Sequence, residues 1–318
     1  MSTFSLLQEL CSIHAPSGNE GAMSAFILEY VQKQSFTWKR KPRVYAGIGF
    51  QDAIVLVFGS PRTAVFAHID SVGFTVGYNK ELIPIGSPKA DEGTQLVGTD
   101  SLGDICCSLQ YTLHECINDD GTKSEERVCE YVFSRDIERG TTLTYKPKFV
   151  EDEQYISATY IDNRAGVWSA LQLAESLEDG IIVFSTYEEH RGGSVAFLQR
   201  FLYKKYHIYQ ALISDITWVT KGISFGNGCV ISLRDSYIPR KAYTQRIVDI
   251  VRRSQLPFQC EVESSGGSDG GYLQQSPYAV DWCFVGAPQS GAHTPNEKIY
   301  KEDLLSMVQI YKILLKEL

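Results

Sequence analysis

Apolar positions change their spacing twice along the chain, and the changes predict how it is organised. Phe4, Leu7, Leu10 and Cys11 recur at helical spacing until Pro16-Ser17-Gly18 interrupts them. A second helix is expected over 19–34, with Asn19 as its N-cap. Two unbroken apolar runs follow, 53–58 and 63–67. Short runs bounded by turns predict strands covered on both faces of a sheet. From Ser71 to about Tyr160 the pattern becomes short alternating strands with no helical period. Strands are expected at 74–78, 107–113, 128–133 and 141–145, and Asn118-Asp119-Asp120-Gly121 reads as a hairpin tip. Strand and helix alternate again from Asp162, with helices at 164–177, 194–205, 240–254 and from 301. The intervening strands are expected at 181–185, 211–214, 229–233, 258–262 and 280–285. The expected fold class is α/β: a mixed-sheet catalytic domain of residues 1–70 and 160–318, with an all-β domain of residues 71–159 inserted into it.

Composition narrows the field without naming a chemistry. A chain of 318 residues can bury a core without disulfide staples. The formal net charge of -8 argues against a nucleic-acid or anionic-membrane partner. Eight cysteines without a C-x-x-C pair read as reduced thiols, and no run is apolar enough to span a bilayer. With no basic, apolar leader at the N-terminus, the expectation is a cytoplasmic protein.

The chemistry lies where the apolar runs stop. Ligand sites of open α/β sheets lie beyond the carboxyl ends of their strands. His68 and Asp70 follow the run 63–67, and Asp162 follows the β-rich block. Glu188 and Glu189 follow 181–185, Asp215 follows 211–214, and His293 follows 280–285 after a Gly- and Pro-containing loop. One aspartate at a strand end is usually a cap or turn former. Five strand ends delivering carboxylate or imidazole to one edge form a donor set for paired divalent cations. One carboxylate can bridge two ions while another stays free as a base. The H-x-D spacing lets Asp70 stand behind His68 and orient its ring.

Six runs carry a resemblance: A-H-I-D-S-V-G-F (67–74), D-N-R-A-G (162–166), Glu188-Glu189, Asp215-Ile216-Thr217, G-G-S-D (266–269) and A-H-T-P-N-E (292–297). In this order, with a β-rich block after the first, they resemble di-metal aminopeptidases of the tetrahedral-assembly type, which include glutamyl and deblocking aminopeptidases. The resemblance implies a zinc-exopeptidase-like domain with a barrel-like insertion that is a candidate dimerisation module. It implies two divalent ions per chain, zinc foremost, with cobalt or manganese as alternatives. His68 and Asp215 would hold one ion, Glu189 and His293 would bear on the other, and Asp162 would bridge them. Glu188 would be the general base, Asp70 would orient His68, and Ser268 and Asp269 would help shape the substrate end. The bond Asp162-Asn163 is a candidate cis peptide.

The implied activity is removal of N-terminal residues from short peptides by a homo-oligomer, as a dimer or larger. The alternatives are another two-metal amidohydrolase (a carboxypeptidase, dipeptidase or deacylase) and an inactive scaffold. The chain departs from the family pattern at Ser71, at the short run His190-Arg191-Gly192-Gly193, and at Pro288-Gln289-Ser290-Gly291.

Overall fold

The computed structural model describes residues 3–117 and 122–318; the expected hairpin tip at 118–121 lies outside them. Four strands form the parallel heart of an 11-stranded mixed sheet, in the order Gly180–Ser185, Ala64–His68, Gln210–Trp218, Asp281–Ser290. Ile54–Phe58 pairs antiparallel with Gly180–Ser185 on the outer side. Every residue of Ile54–Phe58, Ala64–His68 and Gly180–Ser185 is buried, because helices cover both faces.

Alternate residues feed two cores, as a side-chain period of two requires. Leu56, Val65, Ile182 and Leu212 point to one core, which also takes residues of Ser5–Ser12, Gly21–Gln34, Ile161–Ala174, Lys241–Ser254 and Lys301–Glu317. Val57, Phe66, Val183 and Ile213 point to the other, beside Val195–Tyr206 and Asp269–Gln275. Gln210–Trp218 and Asp281–Ser290 run well past the apolar stretches that announce them. Their polar ends carry the ladder beyond the core toward the site.

The second sheet has six antiparallel strands between Gly73 and Tyr145, and a bridge from Glu81 to Glu130 nearly closes it. It has its own core, built around Phe74, Leu96, Leu109, Leu143 and Tyr145. The segment 71–159 is divided between the two sheets. Phe149–Glu151 and Tyr155–Ala158 join the large sheet through Glu297–Tyr300. Their alternation matches that of the preceding strands, so pattern alone does not separate them.

The second helix starts at Gly21, and its N-cap position is Glu20 rather than Asn19. Asn19 instead donates to Thr142 Oγ1 of the second sheet (2.9 Å). Among the described residues, no helix is long and apolar enough to cross a membrane.

His14 ties the N-terminal helices to the second sheet, with Nδ1 2.9 Å from Thr144 Oγ1 and Nε2 3.0 Å from Thr142 Oγ1. Burial, helped by the charge of Arg164, lowers its pKa from 6.5 to about 4. The folded state thus favours neutral imidazole. Its contribution to stability is complete above 6.5 and is lost as pH falls toward about 4. His14→Gln is expected to make thermal stability less steeply dependent on pH across this window. Parallel Tm-against-pH curves for the variant and the native chain would contradict this.

Candidate metal centre and cleft

The parallel strands end at one edge, and this places the polar residues. His68 closes its strand, paired with Ser185. Glu188 and Glu189 follow Ser185 in a tight turn, entered through Tyr187 at φ 62°. Asp215 lies within Gln210–Trp218, and His293 follows Asp281–Ser290 at φ 66°. Asp162 follows Tyr155–Ala158 after Tyr160, at φ 63°, and the Asp162-Asn163 peptide bond is cis. Three non-glycine residues in the left-handed region, each in or beside the site, show the backbone bent to aim these side chains.

Gly166 is fixed by close approach: a Cβ there would stand 2.2 Å from Ser214 O. Asn163 fills the same corner, donating to Ser214 O (2.8 Å) and accepting from Gly166 N (2.9 Å). The run D-N-R-A-G therefore clamps the start of its helix to the strand that carries Asp215.

Two donor groups result, one of His68, Asp162 and Asp215, the other of Asp162, Glu189 and His293. His68 Nε2 lies 3.4 Å from Asp162 Oδ1 and 3.5 Å from Asp215 Oδ2. His293 Nε2 lies 3.4 Å from Asp162 Oδ2 and 3.2 Å from Glu189 Oε2. Most of these separations exceed a good N–H···O hydrogen bond. They match the edge of a tetrahedron of donors about 2.0–2.2 Å from a shared cation. Glu189 Oε1 is buried with no hydrogen-bond partner, another donor facing inward. Oxygen and imidazole donors in two groups sharing a carboxylate fit divalent cations.

The electrostatics agree. Burial alone would raise Asp162, but His293 and His68 outweigh it and hold the carboxyl below its ordinary range. Burial, reinforced by Asp162, raises Glu189 to about 7 against the pull of His293. Burial, with Glu189, Asp215 and Asp269 adding to it, pushes Glu188 well up. Burial opposes protonation of His293, yet Asp162 and Glu189 raise it to about 11. Buried negative charge therefore exceeds what two imidazoles offset, a surplus that suits divalent cations.

Asp70 does more than face His68. One oxygen lies 3.3 Å from His68 Nδ1 and accepts from Glu188 N (3.1 Å). The other accepts from Glu189 N (3.0 Å) and Ser17 Oγ (2.6 Å). A second such residue is Glu297, which the strand-end pattern does not single out. It is buried, and its two oxygens accept from Asp162 N (2.9 Å) and His293 N (2.8 Å). One carboxylate thus fixes the backbone of two donors 131 residues apart in the chain. Its only signal is its place at the end of A-H-T-P-N-E.

Ser268 and Asp269, expected at the substrate end, lie behind the cleft wall. Ser268 Oγ donates to Asp215 Oδ2 (2.6 Å), and Asp269 accepts from Ser185. Both are buried because the short helix from Asp269 packs against the strand ends; Ser268 thereby holds the donor Asp215, and Asp269 holds Ser185 at the end of its strand. Gly266 and Gly267 form the part of that run that lines the cleft, a cavity of about 450 Å³ open above both donor groups. His190 is a loop residue whose Nδ1 accepts from Gly86 N (3.2 Å).

A mixed sheet that gathers two imidazoles and a surplus of carboxylates at its parallel strand ends defines a metal-dependent hydrolase. Residues 109–310, more than half of the chain, match the M42 glutamyl aminopeptidase family, and the chain belongs to that family. It is a metal-dependent aminopeptidase. The matched stretch includes Asp162, Glu188, Glu189, Asp215 and His293, whereas His68 and Asp70 precede it.

Solved structures share the fold at low identity. Aminopeptidase APDkam598 from the archaeon Desulfurococcus kamchatkensis superposes with a TM-score of 0.82 at 19% identity, covering 99% of this chain and 94% of that one. The Pyrococcus horikoshii TET1 peptidase gives 0.81 at 19% identity with all of both chains covered. A TET aminopeptidase from a marine-sediment Thaumarchaeota archaeon gives 0.82 at 16% identity, covering 99% and 96%. No curated protein sequence matches the chain.

Glu297 supplies a prediction. Glutamine offers one acceptor oxygen where two N–H groups must be met, so Glu297→Gln is expected to lower metal affinity by about 10–100-fold. Metal titration of the folded variant measures it. Native affinity would contradict the role given to Glu297.

Proposed function

We propose that the chain is a two-metal aminopeptidase that removes single residues from the free N-terminus of short peptides. His68 and Asp215 serve one cation, Glu189 and His293 the other, and Asp162 serves both. The observation that carries this reading is the pair of donor groups joined through the two oxygens of Asp162. Two divalent ions held there, zinc foremost, would supply Lewis acidity and acidify water at neutral pH.

The protein does the rest. Glu188 Oε2 lies 3.9 Å from His68 Nε2, beside the donors, and Glu188 lines the cleft. It takes the proton of the attacking water and passes it to the leaving amine. Asp70 keeps His68 oriented and sets the turn that aims Glu188 and Glu189. Ser268 holds Asp215, and the buried wall around Asp269 keeps water from the back of the site.

Oligomerisation belongs to the same proposal. The Pyrococcus horikoshii TET1 peptidase can assemble into a tetrahedron or a large octahedral shell. An inserted dimerisation module is supported here by the six-stranded sheet, which leaves Leu102, Leu113 and Val132 more than half or about half exposed. Short peptides are the substrates, because an enclosed assembly excludes folded chains.

Glu188→Gln tests the mechanism. The variant is expected to retain the native metal content while turnover of a free-amine peptide falls by about 100-fold or more. Near-native turnover would remove Glu188 from the role of base.

A further inference from the structure

The cleft carries opposite charges at its two ends. Lys89 and Arg191 line it beside the donor group of Glu189 and His293: Lys89 N donates to His293 O (2.9 Å), and Arg191 lies two residues beyond Glu189. Asp235, Glu261 and Glu263 line it beyond Asp215, on the side of Thr217 and Trp218.

The acidic end is built into the fold. Glu261 is 4% exposed and Asp235 6% exposed, and both still reach the cavity. Glu261 accepts from Thr217 Oγ1 and neighbours the Ser232 hydroxyl; both groups are neutral, so they moderate its charge without pairing it. Asp235 Oδ1 accepts from the backbone N–H of Tyr237 (2.6 Å). Arg234, the nearest basic residue in sequence, turns its Nε to the carbonyls of Asp235 (3.3 Å) and Glu263 (3.1 Å). None of the ion pairs among the described residues includes Asp235, Glu261 or Glu263. Burial raises both Glu261 and Asp235; Glu263 and Asp235 add to the rise at Glu261, while the Tyr237 N–H and the charge of Arg234 only partly oppose it at Asp235.

Buried carboxylates without a cation are costly, and a ligand that brings one gains what the protein does not supply. Ile216, Trp218 and Phe284 line the same cavity with apolar surface. An aliphatic stem with a cationic tip suits apolar walls ending in carboxylates.

We propose that this cleft selects peptides whose N-terminal residue is lysine or arginine, with the side chain lying along Trp218 and its cationic end at Glu261, Asp235 and Glu263. The proposal rests on the aminopeptidase reading. The charge at the other end fixes the orientation. The leaving portion of a short peptide ends in a carboxylate, which Lys89 and Arg191 receive, so the acidic end takes the side chain of the residue being released.

The test uses the metal-loaded chain with free-amine lysyl, arginyl, leucyl and glutamyl arylamides, and the variants Glu261→Gln and Glu263→Lys. The native chain is expected to show kcat/KM for lysyl and arginyl substrates about 10-fold or more above leucyl and glutamyl. Glu261→Gln is expected to lower the lysyl-to-leucyl ratio by about 10-fold, mainly through KM. Glu263→Lys, at a partly exposed position, is expected to shift the same ratio in the same direction. A native preference for glutamyl or leucyl substrates, or variants that lower all four rates equally, would overturn the proposal while leaving the aminopeptidase reading intact. Failure to cleave any of the four would overturn both.

Discussion

The structure depends on one shared carboxylate. Asp162 turns one oxygen toward His68 and the other toward His293, at 3.4 Å each. A carboxylate can serve two donor groups only if its backbone and both partners are held independently of solvent. Glu297 meets that requirement from below by accepting the N–H groups of Asp162 and His293. Asp70 does the same on the other side for His68, Glu188 and Glu189. Two buried carboxylates thus serve as anchors for the groups that do chemistry. Burial still keeps Glu297 well above the usual carboxylate range despite its two backbone donors, whereas at Asp70 burial is outweighed by His68, Ser17 and the backbone of Glu189, which hold it below that range.

The second sheet is part of this arrangement rather than an ornament on it. Tyr145 Oη donates to His293 O (3.0 Å), and His293 Nδ1 lies 3.2 Å from Ser87 O. Lys89, on the same segment, lines the cleft. His14 and Asn19 join the N-terminal helices to Thr142 and Thr144. The second sheet therefore helps set the ring of one donor and one wall of the cavity.

Much of this was legible in the sequence for identifiable reasons. Strands buried on both faces are continuous apolar runs, so Ile54–Phe58, Ala64–His68 and Gly180–Ser185 announce themselves. Residues at their carboxyl ends then converge by topology, which is how the apolar pattern alone points to His68, Asp215 and the Glu188-Glu189 pair. Other features left no such trace. Glu297 acts through two backbone N–H groups, and an acidic residue near a strand start reads the same whether solvated or buried. Ser268 and Asp269 sit in a glycine-rich run whose composition cannot say which residues face the cleft and which face the strand ends. Tyr155–Ala158 alternates like a strand of the second sheet, and only its pairing with Glu297–Tyr300 places it in the first. The left-handed backbone at Tyr160, Tyr187 and His293 is set by tertiary packing and has no local signature.

The central claim is that Asp162 serves two cations at once. Calorimetric titration of the metal-free chain with zinc tests it most directly, in the native protein and in Asp162→Asn. The account predicts about two ions bound per native chain and weakened binding at both sites in the variant, because the lost charge is common to both donor groups. A native stoichiometry of one, or a variant that loses one site while the other keeps its native affinity, would contradict it.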